Sequence, residues 1–237
     1  MKNPNKEIRK LSVIMPAYNE RATVLEAIER SLSVNLGEIE IELIVVDDGS
    51  TDGTRELLQS IEPRDNLKII HHEKNMGKGA AIRTALPHVT GDVVVIEDAD
   101  LELEPESYPR LLEPILSDEA DVVFGSRFRG NLQGMTWFSK LGNRVVSLIA
   151  SILFFKWVSD EATCYKMFRT EIIRSFNLKC TGFEFCPEVT AKTLKKKYRF
   201  VEVPVDYNGR DRASGKKVRL RDGWQAVWTL IKYRFVN

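Results

Sequence analysis

DVVVIEDADLE, residues 92–102, begins with an unbroken β-branched run, Val93 to Ile96, and closes in acids. A run of that kind without polar alternation belongs to a strand buried on both faces, as inside a parallel sheet. The same pattern recurs on either side. LSVIMPAY (11–18), IELIVVDD (41–48), LKIIHH (67–72) and DVVFGSR (121–127) read as further strands. Helical stretches fill the intervals: 21–34, with Val24, Leu25, Ile28 and Leu32 on one face, then 52–61, 78–88, and one from about Pro105, where proline suits a first turn. Strands alternating with helices predict an α/β fold, an open, mostly parallel, Rossmann-like sheet flanked by helices. Past residue 127 the alternation gives way to a helix over 140–155 with Lys140, Arg144, Ser147 and Ser151 as a polar stripe. A strand over 164–168, a helix over 187–197, a strand over 200–207 and a last helix over 222–235 follow. The expected organisation is one domain over 1–207, halved near 125, followed by a basic loop and an amphipathic helix over 208–237.

The 237 residues are 43% hydrophobic and 29% charged, which excludes collagen-like and disordered classes. The net charge of +1 conceals a division: residues 1–125 hold 13 Lys and Arg against 25 Asp and Glu, and residues 126–237 hold 22 against 9. Such a split suggests a cation as partner of the first half and an anion as partner of the second. Cys164, Cys180 and Cys186 form no CxxC pair, and His71, His72 and His88 show no zinc-ligand spacing. A polar N-terminus and an apolar stretch over 145–158 interrupted by Ser147, Ser151 and Lys156 predict neither signal peptide nor spanning helix. The expected location is the cytoplasm.

Open α/β sheets bind ligands beyond the carboxyl ends of their strands. That rule selects 18–20, 47–50, 98–102 and 126–127. Asp98, Asp100 and Glu102 would share one face of an extended chain. Clustered carboxylates there suit a hard divalent cation that also takes phosphate oxygens. Asp48 is placed to accept hydrogen bonds from a base or ribose, whereas Asp52 is explained by helix capping. Asn75 to Gly79 is a small-residue loop opening a helix, with Lys78 favouring an anion. Ser126, Arg127, Arg129, Lys140, Arg144, Arg210, Lys216 and Lys217 gather positive charge in the second half, suggesting a phosphate bound close to a lipid surface.

VIMPAYNE, VVDDGSTDGT, NMGKGAAI, GDVVVIEDADLE and FGSRF, in that order, resemble the GT-A domain of family 2 glycosyltransferases. SDEATCYKMFR, FEFCPEVTAK and EVPVDYNGRDRASGKK are similar to the branch that holds dolichyl- and undecaprenyl-phosphate sugar transferases. The resemblance implies that Pro16, Tyr18, Glu20 and Asp48 contact the nucleotide, that Lys78 lies near it, and that Asp98 and Asp100 hold Mg²⁺ or Mn²⁺ on the diphosphate. It places Arg127, Arg144 and Arg210 where the family binds an acceptor phosphate or closes a loop over the donor, with Lys216 in that loop. Where the branch carries Gln or Ser, this chain has Glu102, a candidate third metal contact.

The implied reaction is inverting transfer from a nucleotide-diphosphate sugar, of GDP-mannose or UDP-glucose type, to a polyprenyl phosphate. A phosphate monoester is already ionised near neutral pH, its second pKa being ~6, so it attacks without a base. A hydroxyl acceptor on a glycan or glycolipid would instead need a base, with Asp160 or Glu161 available. A non-catalytic nucleotide-sugar-binding subunit supporting a membrane-protein partner would not need both Asp98 and Asp100. A nucleic-acid partner is not expected, because the acidic half would repel the backbone. Trp224, Val227, Trp228, Ile231 and Phe235 share a helix face beside Lys232 and Arg234, the pattern of a helix lying peripherally on a membrane surface or packing on the domain or a partner.

Overall fold

The computed structural model describes residues 7–210 and 220–236. The first half runs β1 (Lys10–Ala17), α1 (Val24–Ser33), β2 (Glu40–Asp47), α2 (Thr54–Gln59), β3 (Leu67–His71), α3 (Lys78–Ala85), β4 (Val93–Ile96), α4 (Tyr108–Leu116) and β5 (Val122–Ser126). The second half runs β6 (Leu132–Gln133), α5 (Trp137–Phe154), β7 (Lys166–Arg169), α6 (Thr170–Arg174), α7 (Phe185–Lys195), β8 (Phe200–Pro204), β9 (Tyr207–Asn208) and α8 (Leu220–Phe235). The main sheet has the order β3-β2-β1-β4-β7-β5-β8. Every strand in it is parallel except β7, which runs antiparallel to both β4 and β5. This is the open, mostly parallel, helix-flanked sheet expected of a GT-A domain.

Period-two alternation supplies both cores. Val13, Met15, Leu43, Val45, Val93 and Val95 face one side with α1 and α4, while Ile14, Ile44, Val46, Val94 and Ile96 face the other with α3 and α7. The strand order reverses between β1's neighbours, β2 and β4, so the crevice at their carboxyl ends is where such a sheet takes a ligand.

Several elements differ from expectation. The strand expected over 92–100 ends at Ile96, and 97–102 is a turn in which Leu101 takes a left-handed φ of 59°, so the carboxylates gather by turning rather than by sharing an extended face. The strand expected over 200–207 divides: Pro204, which has no N–H to donate, ends β8, and β9 leaves to pair with β6. Only the serine end of the polar stripe of α5 turns inward, while Arg144 stays exposed. Ser147 is buried and accepts from the Glu161 backbone, while Trp137, Phe138, Leu148 and Ile152 face outward. Helix α8 divides its apolar residues: Leu230 and Tyr233 pack with α5 and α7, whereas Trp224, Trp228 and Phe235 are exposed. Among the described residues no helix is long and apolar enough to cross a membrane.

Candidate active site

The turn after β4 is held from three directions. The Thr23 hydroxyl donates to the Ala99 carbonyl at 2.7 Å, and the Glu102 N–H donates to Asp100 Oδ1 at 3.0 Å. Lys78, at the first position of α3, sets its Nζ 2.6 Å from Asp98 Oδ1. Burial disfavours the Lys78 ammonium, but Asp98 keeps it charged and raises its pKa above the usual lysine value. Asp100 has no such close partner: burial, then the charges of Asp98 and Glu102, push it up to about 7. That surplus negative charge fits a divalent cation, which Asp98 and Asp100 would hold. Among the described residues no three acidic, His or Cys side chains converge as a closed metal cage. Two carboxylates would leave the other positions to water and phosphate oxygens, as Mg²⁺ favours.

Glu102, expected as a third metal contact, is otherwise engaged: Oε2 accepts from the Tyr207 hydroxyl at 2.7 Å and Oε1 from the Arg210 N–H at 3.0 Å. Asp48, expected against the nucleotide, is buried and pins the neighbouring loop. Its Oδ1 accepts from Met76 N–H and lies 2.7 Å from His72 Nδ1, and its Oδ2 accepts from Gly77 N–H. The expected anion cradle at the start of α3 is also closed. Gly79 and Ala80 donate their N–H groups to the carbonyls of Gly182 and Thr181. That approach is so close that a Cβ on Gly77 would stand 2.4 Å from the Thr181 oxygen.

Pro16 lies near the carboxyl end of β1 and Tyr18 follows it, both half-buried. Beside them an open cleft of about 450 Å³ is lined by Asn19, Glu20, Arg21, Ala22, Asp52 and Arg210. Asn19, with φ of 51°, accepts from the Thr51 N–H, which fastens the first strand end to the second. Arg210 crosses from the far end of the chain to fork onto Glu20 at 2.7 and 3.1 Å. Lys216 and Lys217 lie outside the described residues.

On the other side, Arg127 and Asp160 form a buried bidentate pair with N···O distances of 2.7 and 2.8 Å. Asp160 also accepts the Arg127 backbone N–H at 3.0 Å. The Arg127 guanidinium lies 5.3 Å from the centre of the Tyr207 ring, so Tyr207 joins this pair to Glu102 and the acidic turn. Glu161 is fully buried, accepts from the Thr190 hydroxyl and has its pKa raised, chiefly by burial. Buried Lys166 sits on β7, donates to the Glu161 carbonyl at 2.6 Å and lies 3.8 Å from the Phe124 ring centre. Arg144 is exposed, 4.8 Å above the Phe128 ring.

The structure therefore brings Asp98, Asp100, Glu102, Lys78, Glu20 and Arg210 together and sets Arg127 with Asp160 across Tyr207. His72 and Tyr207 were not foreseen. His72 follows β3 and could have been found by the same strand-end rule that selected Asp48. For Tyr207, whose side-chain partners Glu102 and Arg127 lie 105 and 80 positions away in sequence, no local signal exists.

Residues 12–176 match the family model described as glycosyl transferase family 2. The chain is 32% identical over 212 residues to dolichol-phosphate mannosyltransferase of Pyrococcus furiosus, covering 87% of this chain and 59% of that protein. It is also 32% identical over 213 residues to undecaprenyl-phosphate 4-deoxy-4-formamido-L-arabinose transferase of Enterobacter sp., covering 88% and 63% respectively. The chain thus spans about three-fifths of the length of these curated relatives. Among solved structures, glucosyl-3-phosphoglycerate synthase of Mycobacterium tuberculosis with UDP superposes with a TM-score of 0.72 at 22% identity, covering 97% of this chain and 81% of that one. The same enzyme with Mn²⁺, UDP and phosphoglyceric acid gives 0.71 at 22% identity, covering 97% and 80%. At that identity the likeness is one of fold.

Proposed function

The chain belongs to glycosyl transferase family 2, and on that premise we propose that it transfers a sugar, with inversion, from a nucleotide-diphosphate sugar to a polyprenyl phosphate. The observation that carries this reading is the Tyr207 bridge. Through it the carboxylates of the β4 turn, suited to a cation on a diphosphate, stand beside the buried Arg127–Asp160 pair of the basic half. Asp98 and Asp100 would hold Mg²⁺ or Mn²⁺, which when bound supplies Lewis-acid stabilisation of the leaving diphosphate. Lys78 stands beside that place with a charge for phosphate oxygens. Glu20 lines the cleft that would take the nucleotide, and Pro16 and Tyr18 precede it at the carboxyl end of β1. Arg144, exposed and held over Phe128, would meet the acceptor phosphate, and Arg210, in the wall of the cleft, would flank the donor.

A phosphate acceptor is supported by the state of the nearby acids. Asp160 is fully engaged with Arg127, and Glu161 is buried and hydrogen-bonded, so neither stands ready to take a proton from a hydroxyl. The deciding assay supplies GDP-mannose, UDP-glucose or UDP-GlcNAc with Mn²⁺ or Mg²⁺ and polyprenyl phosphate. Release of nucleotide diphosphate only with the lipid phosphate is expected. Equal release with a glycan acceptor lacking phosphate would overturn the acceptor assignment.

A lipid acceptor demands access to a bilayer surface. Helices α5 and α8 pack side by side and expose Trp137, Phe138, Ile152, Trp224, Trp228 and Phe235, large apolar groups that a membrane interface would cover. We expect Trp137→Ser with Phe138→Ser to reduce flotation on vesicles containing anionic lipid at least about threefold. Unchanged flotation would remove α5 from the membrane-facing surface.

A further inference from the structure

Arg210 reaches further than a nucleotide-side cation needs to. Its guanidinium forks onto Glu20, stands 3.4 Å from Asp100 Oδ2, and its Nε lies 4.0 Å from Glu102 Oε1. Its own backbone N–H is fixed on Glu102 at 3.0 Å. The side chain is only 20% exposed, yet among the described residues its buried Nε has no hydrogen-bond partner. An unsatisfied buried donor costs stability and is uncommon in a resting structural contact. The carboxylates of Glu20, Asp98, Asp100 and Glu102 thus share the charges of Lys78 and Arg210, one cation to each side of the turn. Lys78 closes on Asp98 at hydrogen-bond distance, whereas Arg210 reaches Asp100 only at ion-pair distance.

We propose that Arg210 is the internal counter-ion of this acidic turn, and that a divalent cation competes with it for Asp100. The inference rests on the reading of Asp98 and Asp100 as cation ligands. A divalent ion at Asp100 brings two positive charges to within a few ångströms of the guanidinium, and like charges so placed repel. Arg210 is then released from Asp100, and donors that were shared among carboxylates become available to an anionic group of a substrate.

The test measures Mn²⁺ binding to the metal-free full chain, with no donor present, from the loss of the free-ion electron paramagnetic resonance signal. Arg210→Gln is expected to bind Mn²⁺ about three- to tenfold more tightly than the unaltered chain, since a positive charge beside a ligand is gone. Arg210→Lys keeps the charge but cannot span two carboxylates, so a smaller tightening is expected. Melting temperatures are read in parallel, and if Arg210→Gln does not fold, the lysine variant carries the test. Equal or weaker binding by the folded variants overturns the counter-ion role while leaving the cation site intact. No binding by any of the proteins, even with GDP or UDP added, overturns the cation site and this inference with it.

Discussion

Asp100→Asn is expected to yield a protein that melts higher than the unaltered chain at about pH 8 and transfers sugar at least about a hundredfold more slowly. The two effects have one cause. Burial and the charges of Asp98 and Glu102 hold the Asp100 carboxyl near 7, above the usual carboxylate range, so folding favours its protonated form. Its favourable contribution is complete below the unfolded pKa and is lost as pH rises towards the folded one. Above about 7 the ionised group is a fixed penalty in the metal-free protein. Asparagine keeps the Oδ1 acceptor for the Glu102 N–H and removes the charge. The rise in melting temperature should therefore be greatest above neutrality and vanish near pH 4. Differential scanning calorimetry across that range, paired with nucleotide release, checks both halves. A variant that loses activity without any pH-dependent gain in melting temperature would show that Asp100 is not electrostatically strained.

Asp160→Asn is expected to cost about 3 to 5 kcal/mol of folding stability, read from the urea midpoint. Asp160 is fully buried and accepts Arg127 through its backbone N–H, Nε and Nη2. An asparagine keeps one acceptor but turns an N–H₂ towards Nη2, leaving a guanidinium buried without its counter-charge. A general base would behave otherwise, with turnover lost and stability kept. Replacing both partners with apolar residues, Arg127→Met with Asp160→Leu, should destabilise less than Asp160→Asn alone, because no orphaned charge remains. A stable but inactive Asp160→Asn protein would restore the hydroxyl-acceptor mechanism.

Much of the molecule is legible before any tertiary contact is known. Val93 to Ile96 reads as a strand covered on both faces and is buried throughout, as is β5, whereas the edge strand β3 keeps Lys68 and His71 exposed, because burial on two sides selects against polar positions and an edge relaxes that demand. The strand-end rule then selected Glu20, Asp48, Asp98, Asp100 and Arg127, which follow the carboxyl ends of β1, β2, β4 and β5. It could not say what each one touches. Asp48 is not left facing the cleft, because the loop over 72–77 folds back onto it. The amides of α3 are taken by carbonyls more than a hundred residues further along the chain.

The sequence by itself determined the layered α/β sheet, the carboxylate and basic clusters and their division between the two halves, since these depend on side-chain type and short-range period. Tertiary structure alone decided the pairings: Arg210 with Glu20 across 190 positions, Arg127 with Asp160 across 33, and Tyr207 with Glu102 across 105. It also decided the insertion of an antiparallel β7 carrying a buried Lys166, and the outward turn of the apolar face of α5. The physical reason is common to all of these. A charge or hydroxyl inside a protein must find a partner to offset its lost hydration, and which partner it finds depends on where the chain returns, a property that no local pattern encodes.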